Sequence, residues 1–137
     1  MYTIEPFATH HIAGVIDLWS RSGPGVTLQD WETPELIKNA IATSPDLSFV
    51  ATEQMQVIGA VVGGHFGLRG LIQHLAVDYL HRKRGIGERL MTECCDAFKQ
   101  RGIRRVLLGA GTEESIGFYT SIGFVDDESA RLMWKDL

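Results

Sequence analysis

Cysteine is nearly absent from the 137-residue chain, which contains only Cys94 and Cys95. On a helix, adjacent side chains point about 100° apart, so the two have no geometry for a mutual disulfide, and a reducing cytoplasm is the expected home. Long apolar runs are missing too: no window approaches the roughly 18 residues needed to span a bilayer. The first residues, MYTIEPFATHH, have no basic stretch leading into an apolar one, so a soluble, unexported protein is expected. Neither sign of charge dominates. Thirteen Lys and Arg against seventeen Asp and Glu leave a net charge of -4, which argues against a surface built throughout for nucleic acid but allows a local basic patch. No repeat, low-complexity tract or linker divides the chain, so residues 1–137 are expected to form one domain around a shared core.

Several nucleotide and metal motifs are also absent. There is no Gly-x-x-x-x-Gly-Lys-Ser/Thr and no Gly-x-Gly-x-x-Gly, since Leu90 stands where a third glycine would fall, and this counts against a P-loop ATPase and a Rossmann dehydrogenase. No metal-ligand spacing appears: His10 and His11 lack a third ligand nearby in sequence, and no metal is expected. Cys94 shares a helical stripe with Leu90 and Phe98, which points to packing rather than nucleophilic chemistry.

What is present is a clear alternation of elements. YTIEPF reads as a short strand, and a helix follows with Ile12, Val15, Ile16 and Trp19 at helical spacing, ending at Gly23. A loop carrying Asp30, Trp31 and Glu32 leads to Thr33 and Pro34, which are placed to cap and start a second helix. LSFVATE and VIGAVVGGHFG form a predicted hairpin, with GLIQHLAVDY a further strand beyond the turn-like glycines Gly63, Gly64, Gly67 and Gly70. A helix from about Arg84 closes at Gly102. RRVLLGAG, EESIGFYTSIG and ARLMWKDL then read as strand, helix and final strand. The order βααβββαβαβ predicts an α/β fold, a mixed sheet with helices on its faces.

The segment HRKRGIGERL joins the strand LIQHLAV to a helix. A helix amino terminus has amide hydrogens without intrahelical partners and a partial positive charge, and it suits an anion. Gly85 and Gly87 would let a phosphate approach the backbone, with Arg82, Lys83 and Arg84 adding charge around it. An ordinary strand-to-helix turn with solvated charges is the alternative.

LAVDYLHRKRGIGERL resembles the cofactor-binding motif of the GNAT superfamily of acyl-CoA-dependent N-acyltransferases, Gln/Arg-x-x-Gly-x-Gly/Ala after a strand ending in an apolar-x-Val. Arg82, Gly85 and Gly87 fit its fixed positions. TEESIGFYTSIGF resembles the carboxy-terminal motif of the same superfamily, with Phe118-Tyr119 followed by Gly123-Phe124. The resemblance implies a central, mostly antiparallel mixed sheet with a splayed parallel pair and helices on both faces. Strand Leu71 to Val77 would part from Arg105 to Ala110 to leave a wedge for the pantetheine arm of acetyl-CoA, the implied co-substrate. Backbone groups of Leu75, Ala76 and Val77 would bond that arm, while amides across Lys83, Arg84, Gly85, Ile86, Gly87 and Glu88 would hold the pyrophosphate.

The implied reaction is acetyl transfer to the primary amine of a small molecule, peptide or protein, with Tyr119 as the acid at the thioester sulfur and the Leu75 amide polarising the carbonyl. From its residues alone, Tyr119 could equally be a helix residue with its ring at the core edge and its hydroxyl wet. Thr112 stands where the family usually has Asn and Ser115 where Ala is common; Thr112 can still make a cofactor contact.

The carboxylate bases of some relatives fall on Leu71 and Leu107, which cannot accept a proton. His74, Gln73, His65, Asp30 and Glu32 remain. An imidazole ordinarily titrates near pH 6.5, which favours His74 as the base, but strand alternation puts it on the face opposite Leu71, Gln73 and Leu75 unless a bulge reverses it. Two further possibilities stay open: a non-catalytic acyl-CoA-binding domain, suggested by the missing carboxylates, and a nucleic-acid-binding module using Arg82 to Arg84. Neither a membrane nor a nucleic-acid partner is expected. A homodimer through the last strands is common in such folds.

Overall fold

The computed structural model describes residues 1–137 with the exception of the Pro24 side chain. Strands β1 (Thr3–Pro6), β2 (Phe49–Glu53), β3 (Gln56–His65), β4 (Gly70–Val77) and β5 (Val106–Leu107) lie in that order in one sheet. The first four pair antiparallel, and β5 runs parallel to β4. Helices α1 (Ile12–Ser20) and α2 (Pro34–Thr43) cover one face, while α3 (Ile86–Gln100) packs on the other, with α4 (Glu113–Ser121) beside it.

Helical spacing sets both layers. On α1, Val15, Leu18 and Trp19 are buried with Ile37 and Ile41 of α2 against Val57, Ala60 and Ala76 of the sheet. On α3, Leu90, Met91, Cys94 and Phe98 are buried against Ile58, Val61 and Ile72. Each such large apolar side chain stabilises the fold by about 1.5–3 kcal/mol. The Thr33 hydroxyl caps α2 by accepting the Leu36 amide at 3.2 Å, and Pro34 begins that helix.

The expected hairpin between β2 and β3 forms, its turn made by Gln54 and Met55, both with positive φ. The glycines around the next turn divide by role. Gly67, with φ +99°, supplies the left-handed turn residue. Gly63 and Gly70 lie within strands instead: a Cβ on Gly70 would collide with the Phe98 ring, and one on Gly63 with the Leu47 carbonyl. These two glycines bring α3 close to the sheet, a packing role that the turn-like composition conceals.

Two expected strands are corrected. The strand from Arg105 to Ala110 is reduced to Val106–Leu107, because β5 leaves β4 after the pairs Gly70↔Val106 and Leu71↔Leu107. Ala130–Leu137 forms no strand at all. Its apolar residues Leu132, Met133 and Trp134 are consecutive rather than alternating, so a pleated strand would bury no single face, and all three are exposed.

Candidate active site

The opening between β4 and β5 is the architectural feature around which the candidate residues gather. Beyond Leu71, β4 has no partner on its β5 side among the described residues, so backbone groups of Leu75, Ala76 and Val77 border an open wedge. At its mouth the chain turns into α3. Gly85 is the N-cap residue in a left-handed conformation, with φ +77° and no side-chain cap. The first amide bonded into the helix is that of Arg89, donating to the Gly85 carbonyl at 3.1 Å. The amides of Ile86, Gly87 and Glu88 are therefore left for an outside acceptor, with the helix dipole behind them. These residues suit a pyrophosphate. Gly87 serves a second purpose, since a Cβ there would stand 3.3 Å from Phe118 of α4. Its absence lets the two helices meet at the wedge.

The turn leading into this helix is held by ionic contacts. Asp78, buried directly after β4, accepts from Arg21 at the end of α1 at 2.5 Å and from His81 Nδ1 at 2.9 Å. Burial pushes the Asp78 carboxyl up, but the His81 hydrogen bond and the Arg21 charge outweigh it and hold it below its ordinary 3.8. Arg84 donates twice to Glu53 of β2, at 2.8 and 3.3 Å, and this contact leads in lowering the Glu53 carboxyl to about 2. Arg82 donates to the Val77 carbonyl at 3.4 Å and lies over the Tyr79 ring. Two of the three cations thus brace the loop, and Lys83, with φ +64°, sits at its bend. A depressed carboxylate pKa contributes stability that is full above the unfolded value and lost as pH falls through the folded one. Acid unfolding is accordingly expected to progress from about pH 5 toward pH 2. Asp78→Asn is expected to cost about 2 kcal/mol at neutral pH, roughly 5–10 °C of Tm, and to flatten the acid limb; thermal melts across pH check both.

Tyr119 lies on α4 with its ring edge-on to Phe118 and Phe124, at centroid distances of 5.2 and 5.6 Å. Burial pushes its phenol above the ordinary 10.0, so it carries its proton at neutral pH. The hydroxyl has no protein partner among the described residues and is not sealed from solvent. Thr112 caps α4: its hydroxyl accepts the Ser115 amide at 3.1 Å, and Ser115 Oγ accepts the Thr112 amide at 3.2 Å. The Asn-to-Thr and Ala-to-Ser departures are therefore complementary halves of one cap.

Strand alternation would have put His74 on the α3 face, and a bulge reverses it. Between the pairs Ala60↔Ala76 and Val62↔Gln73, β4 has one residue more than β3, and His74 takes φ +54°. Its ring moves to the α1 face, 4.9 Å from Trp19, while Leu75 goes to the α3 side. Trp19 Nε1 donates to the His74 carbonyl at 3.0 Å and braces the bulge. His74 Nε2 lies 3.1 Å from Glu32 Oε2, and the other Glu32 oxygen accepts the Gln29 amide at 2.9 Å. A carboxylate acceptor places the imidazole proton on Nε2 and leaves the Nδ1 lone pair free. Nδ1 has no protein partner among the described residues and is open to solvent.

The remaining candidates separate. Gln73 lines a groove beside α2. His65 bonds the Gly67 amide at 3.0 Å and lies 2.8 Å from Arg101, while Asp30 and Trp31 stay exposed. Burial pushes the Cys94 thiol up to about 12, and it donates to the Leu47 carbonyl at 3.3 Å. Glu5 joins His10 and His11 in space, which local spacing could not show. His11 Nδ1 nevertheless accepts the Ala8 amide at 3.0 Å and Nε2 faces Glu5 at 2.8 Å, so its ring is already engaged. Asp78, Arg21 and Trp19 were not legible as site residues. The Asp78-to-His81 spacing beside the basic run was the one local signal of a braced turn.

This architecture recurs in known proteins. The acetyltransferase (GNAT) domain family matches residues 44–126, from the end of α2 to just past α4. An acetyltransferase of Sodalis glossinidius is 31% identical over 98% of this chain and 94% of its own. A GNAT family protein of Streptococcus pneumoniae superposes with a TM-score of 0.78 at 25% identity, covering 99% and 98% of the two chains. At 19% identity, a protein of Clostridium acetobutylicum described as a predicted acetyltransferase and solved with acetyl-CoA shares the fold, with a TM-score of 0.76 over 100% of this chain and 96% of that one. The parted strands and glycine-entry helix, together with the match over 44–126 and the Sodalis relative, show that the chain is an acetyltransferase of the GNAT family.

Proposed function

We propose that the protein transfers the acetyl group of acetyl-CoA to a primary amine, with His74 as base and Tyr119 as acid. The observation that carries this reading is the free β4 edge beyond Leu71 leading to the uncapped α3 amino terminus, with Tyr119 packed on the same α3-side core and keeping its phenol proton. Acetyl-CoA supplies an acyl carbon on a thioester whose thiolate can leave. The amides across Lys83 to Glu88 receive the pyrophosphate, and backbone groups of Leu75 to Val77 pair with the pantetheine arm as an added strand would. The Leu75 amide polarises the thioester carbonyl. His74 takes one proton from the ammonium so that nitrogen has a lone pair; the new C–N bond forms as the C–S bond breaks, Tyr119 gives its proton to sulfur, and the second proton lost from nitrogen as the amide forms returns through water to the tyrosinate.

Residues 1–137 act in this reading as one unit in the cytoplasm. A homodimer that pairs the segments Ala130–Leu137 would cover Leu132, Met133 and Trp134. Nucleic-acid binding has less support, because Arg84 and Arg82 are engaged within the protein. Thermal unfolding with acetyl-CoA, CoA, NAD and ATP in parallel tests the proposal. At a hundred times its dissociation constant a ligand stabilises by about 2.7 kcal/mol, roughly 5–10 °C here. A shift with the CoA compounds alone, with release of free CoA when amines are added, is the expected result; an equal shift with NAD, or none with CoA, removes it.

A further inference from the structure

On the sheet face covered by α1 and α2, a groove of about 270 Å³ runs between α2 and the β3–β4 hairpin. That is near the lower limit for small-molecule pockets. Ala40, Val62, Gly64, Phe66 and Leu71 give it apolar walls, with Gln73 toward one end. Phe66 and Leu71 remain 68% and 41% exposed, and Leu107, paired with Leu71 across the β4–β5 ladder, is 46% exposed. Scattered single exposures are ordinary, but a phenylalanine and two neighbouring leucines around a concavity form a patch suited to an apolar ligand.

The polar groups define the rest of that ligand. Gln73 immediately precedes His74, which the bulge brings to the same face, and the Glu32 carboxylate stands 3.1 Å from its ring. A single anionic group therefore lies beside one end of an apolar groove. At the hairpin end, His65 has both nitrogens in contact, with the Gly67 amide and Arg101, and Arg101 is itself ion-paired with Asp46. Among the described residues, those lining the groove include no unpaired cation for a phosphate or carboxylate and no carboxylate for a polycation, and Arg69 of the β3–β4 turn does not line it.

We infer that the acceptor is a monoamine bearing an apolar substituent: its ammonium goes to His74 and Glu32, and its alkyl or arylalkyl group fills the groove along Gly64, Phe66 and Leu71. This rests on the acetyl-transfer reading above. A free small amine and the amino terminus of a peptide with an apolar first residue share that chemistry.

Gly64→Val provides a test that spares the fold. Gly64 lies in β3, a Cβ there meets no atom within 4 Å, and its φ is not left-handed; valine suits a strand. CoA release is measured with 2-phenylethylamine, hexylamine, a leucine-initiated tetrapeptide, spermidine and glucosamine. Apolar monoamines are expected to exceed spermidine and glucosamine at least tenfold in kcat/KM, and Gly64→Val to raise their KM about tenfold with an unchanged acetyl-CoA thermal shift. The small amines and the tetrapeptide distinguish the two sources.

Preference for spermidine or glucosamine, or an unchanged KM in Gly64→Val, overturns the inference while leaving acetyl transfer in place. Backbone amide shifts of Gly63, Gly64 and Gln73 on titrating CoA-loaded protein with 2-phenylethylamine supply a readout without turnover. Shifts there with no CoA release uphold the groove and remove the acetyl-transfer reading; their absence overturns the groove.

Discussion

His74→Asn is expected to keep its fold and acetyl-CoA affinity while losing between about a hundredfold and ten-thousandfold in kcat/KM, the range for a positioned proton-transfer group. Asparagine is the appropriate replacement because it tolerates the left-handed conformation that His74 adopts at φ +54°. The bulge is also braced through the His74 backbone carbonyl by Trp19, a bond no side-chain change at position 74 removes. The loss is expected to shrink at higher pH, where more of the amine is already free, so the variant's rate climbs more steeply with pH than the parent's. Glu32→Gln tests the positioning residue. It retains a hydrogen-bonding acceptor at the same reach but removes the negative charge that holds the ring through Nε2. A smaller fall in kcat than that of His74→Asn is expected. If His74→Asn turns over amines as well as the parent does across pH, the base lies elsewhere.

The parts of this site that are local in sequence were legible, and those made by distant pairing were not. HRKRGIG announces where its helix begins, because an uncapped helix start with glycine at the N-cap needs only neighbouring residues to specify it. The stripes of α1 and α3 follow from apolar spacing alone. The face of His74, by contrast, depends on β4 having one residue more than β3 between two ladder pairs, which period-two alternation within β4 cannot reveal. Its partner Glu32 is 42 positions away in a loop. Gly63 and Gly70 carried a similar ambiguity: glycine suits both a turn and a close helix approach, and only the position of Phe98 decides between them. The last segment failed in the opposite sense. ARLMWKDL has strand-forming residues, but its apolar residues are consecutive, so pairing along the open outer edge of β5 would bury no single face.

On the proposed reading, the bulge lets an acetyltransferase site do without a carboxylate at Leu71 or Leu107. Those positions form a cross-strand pair of half-exposed leucines. Reversing one residue on β4 brings the His74 imidazole to the face of Leu71, three positions further along, and the loop before α2 places the Glu32 carboxylate 3.1 Å from it. Glu32 and His74 thus stand at one end of this face and an apolar wall at Leu71 at the other.

Tyr119→Phe is expected to lower kcat about a hundredfold, the lower end of the range for a positioned acid, because a thiolate is already a tolerable leaving group. The substitution removes one hydroxyl that has no protein partner among the described residues. The ring contacts with Phe118 and Phe124 persist, so the fold should be undisturbed and Tm unchanged or slightly raised. Affinity for acetyl-CoA should also hold, since the proposed binding groups are amides of β4 and α3. The diagnostic comparison varies the leaving group. An acyl donor whose thiol is more acidic than that of CoA needs less protonation at sulfur, and the gap between the parent and the Tyr119→Phe variant should narrow with it. A gap that stays constant across donors would mean that the hydroxyl orients the substrate instead of protonating sulfur. Equal turnover of the two proteins with acetyl-CoA itself would remove Tyr119 from the reaction and leave its ring as packing between α4 and the sheet.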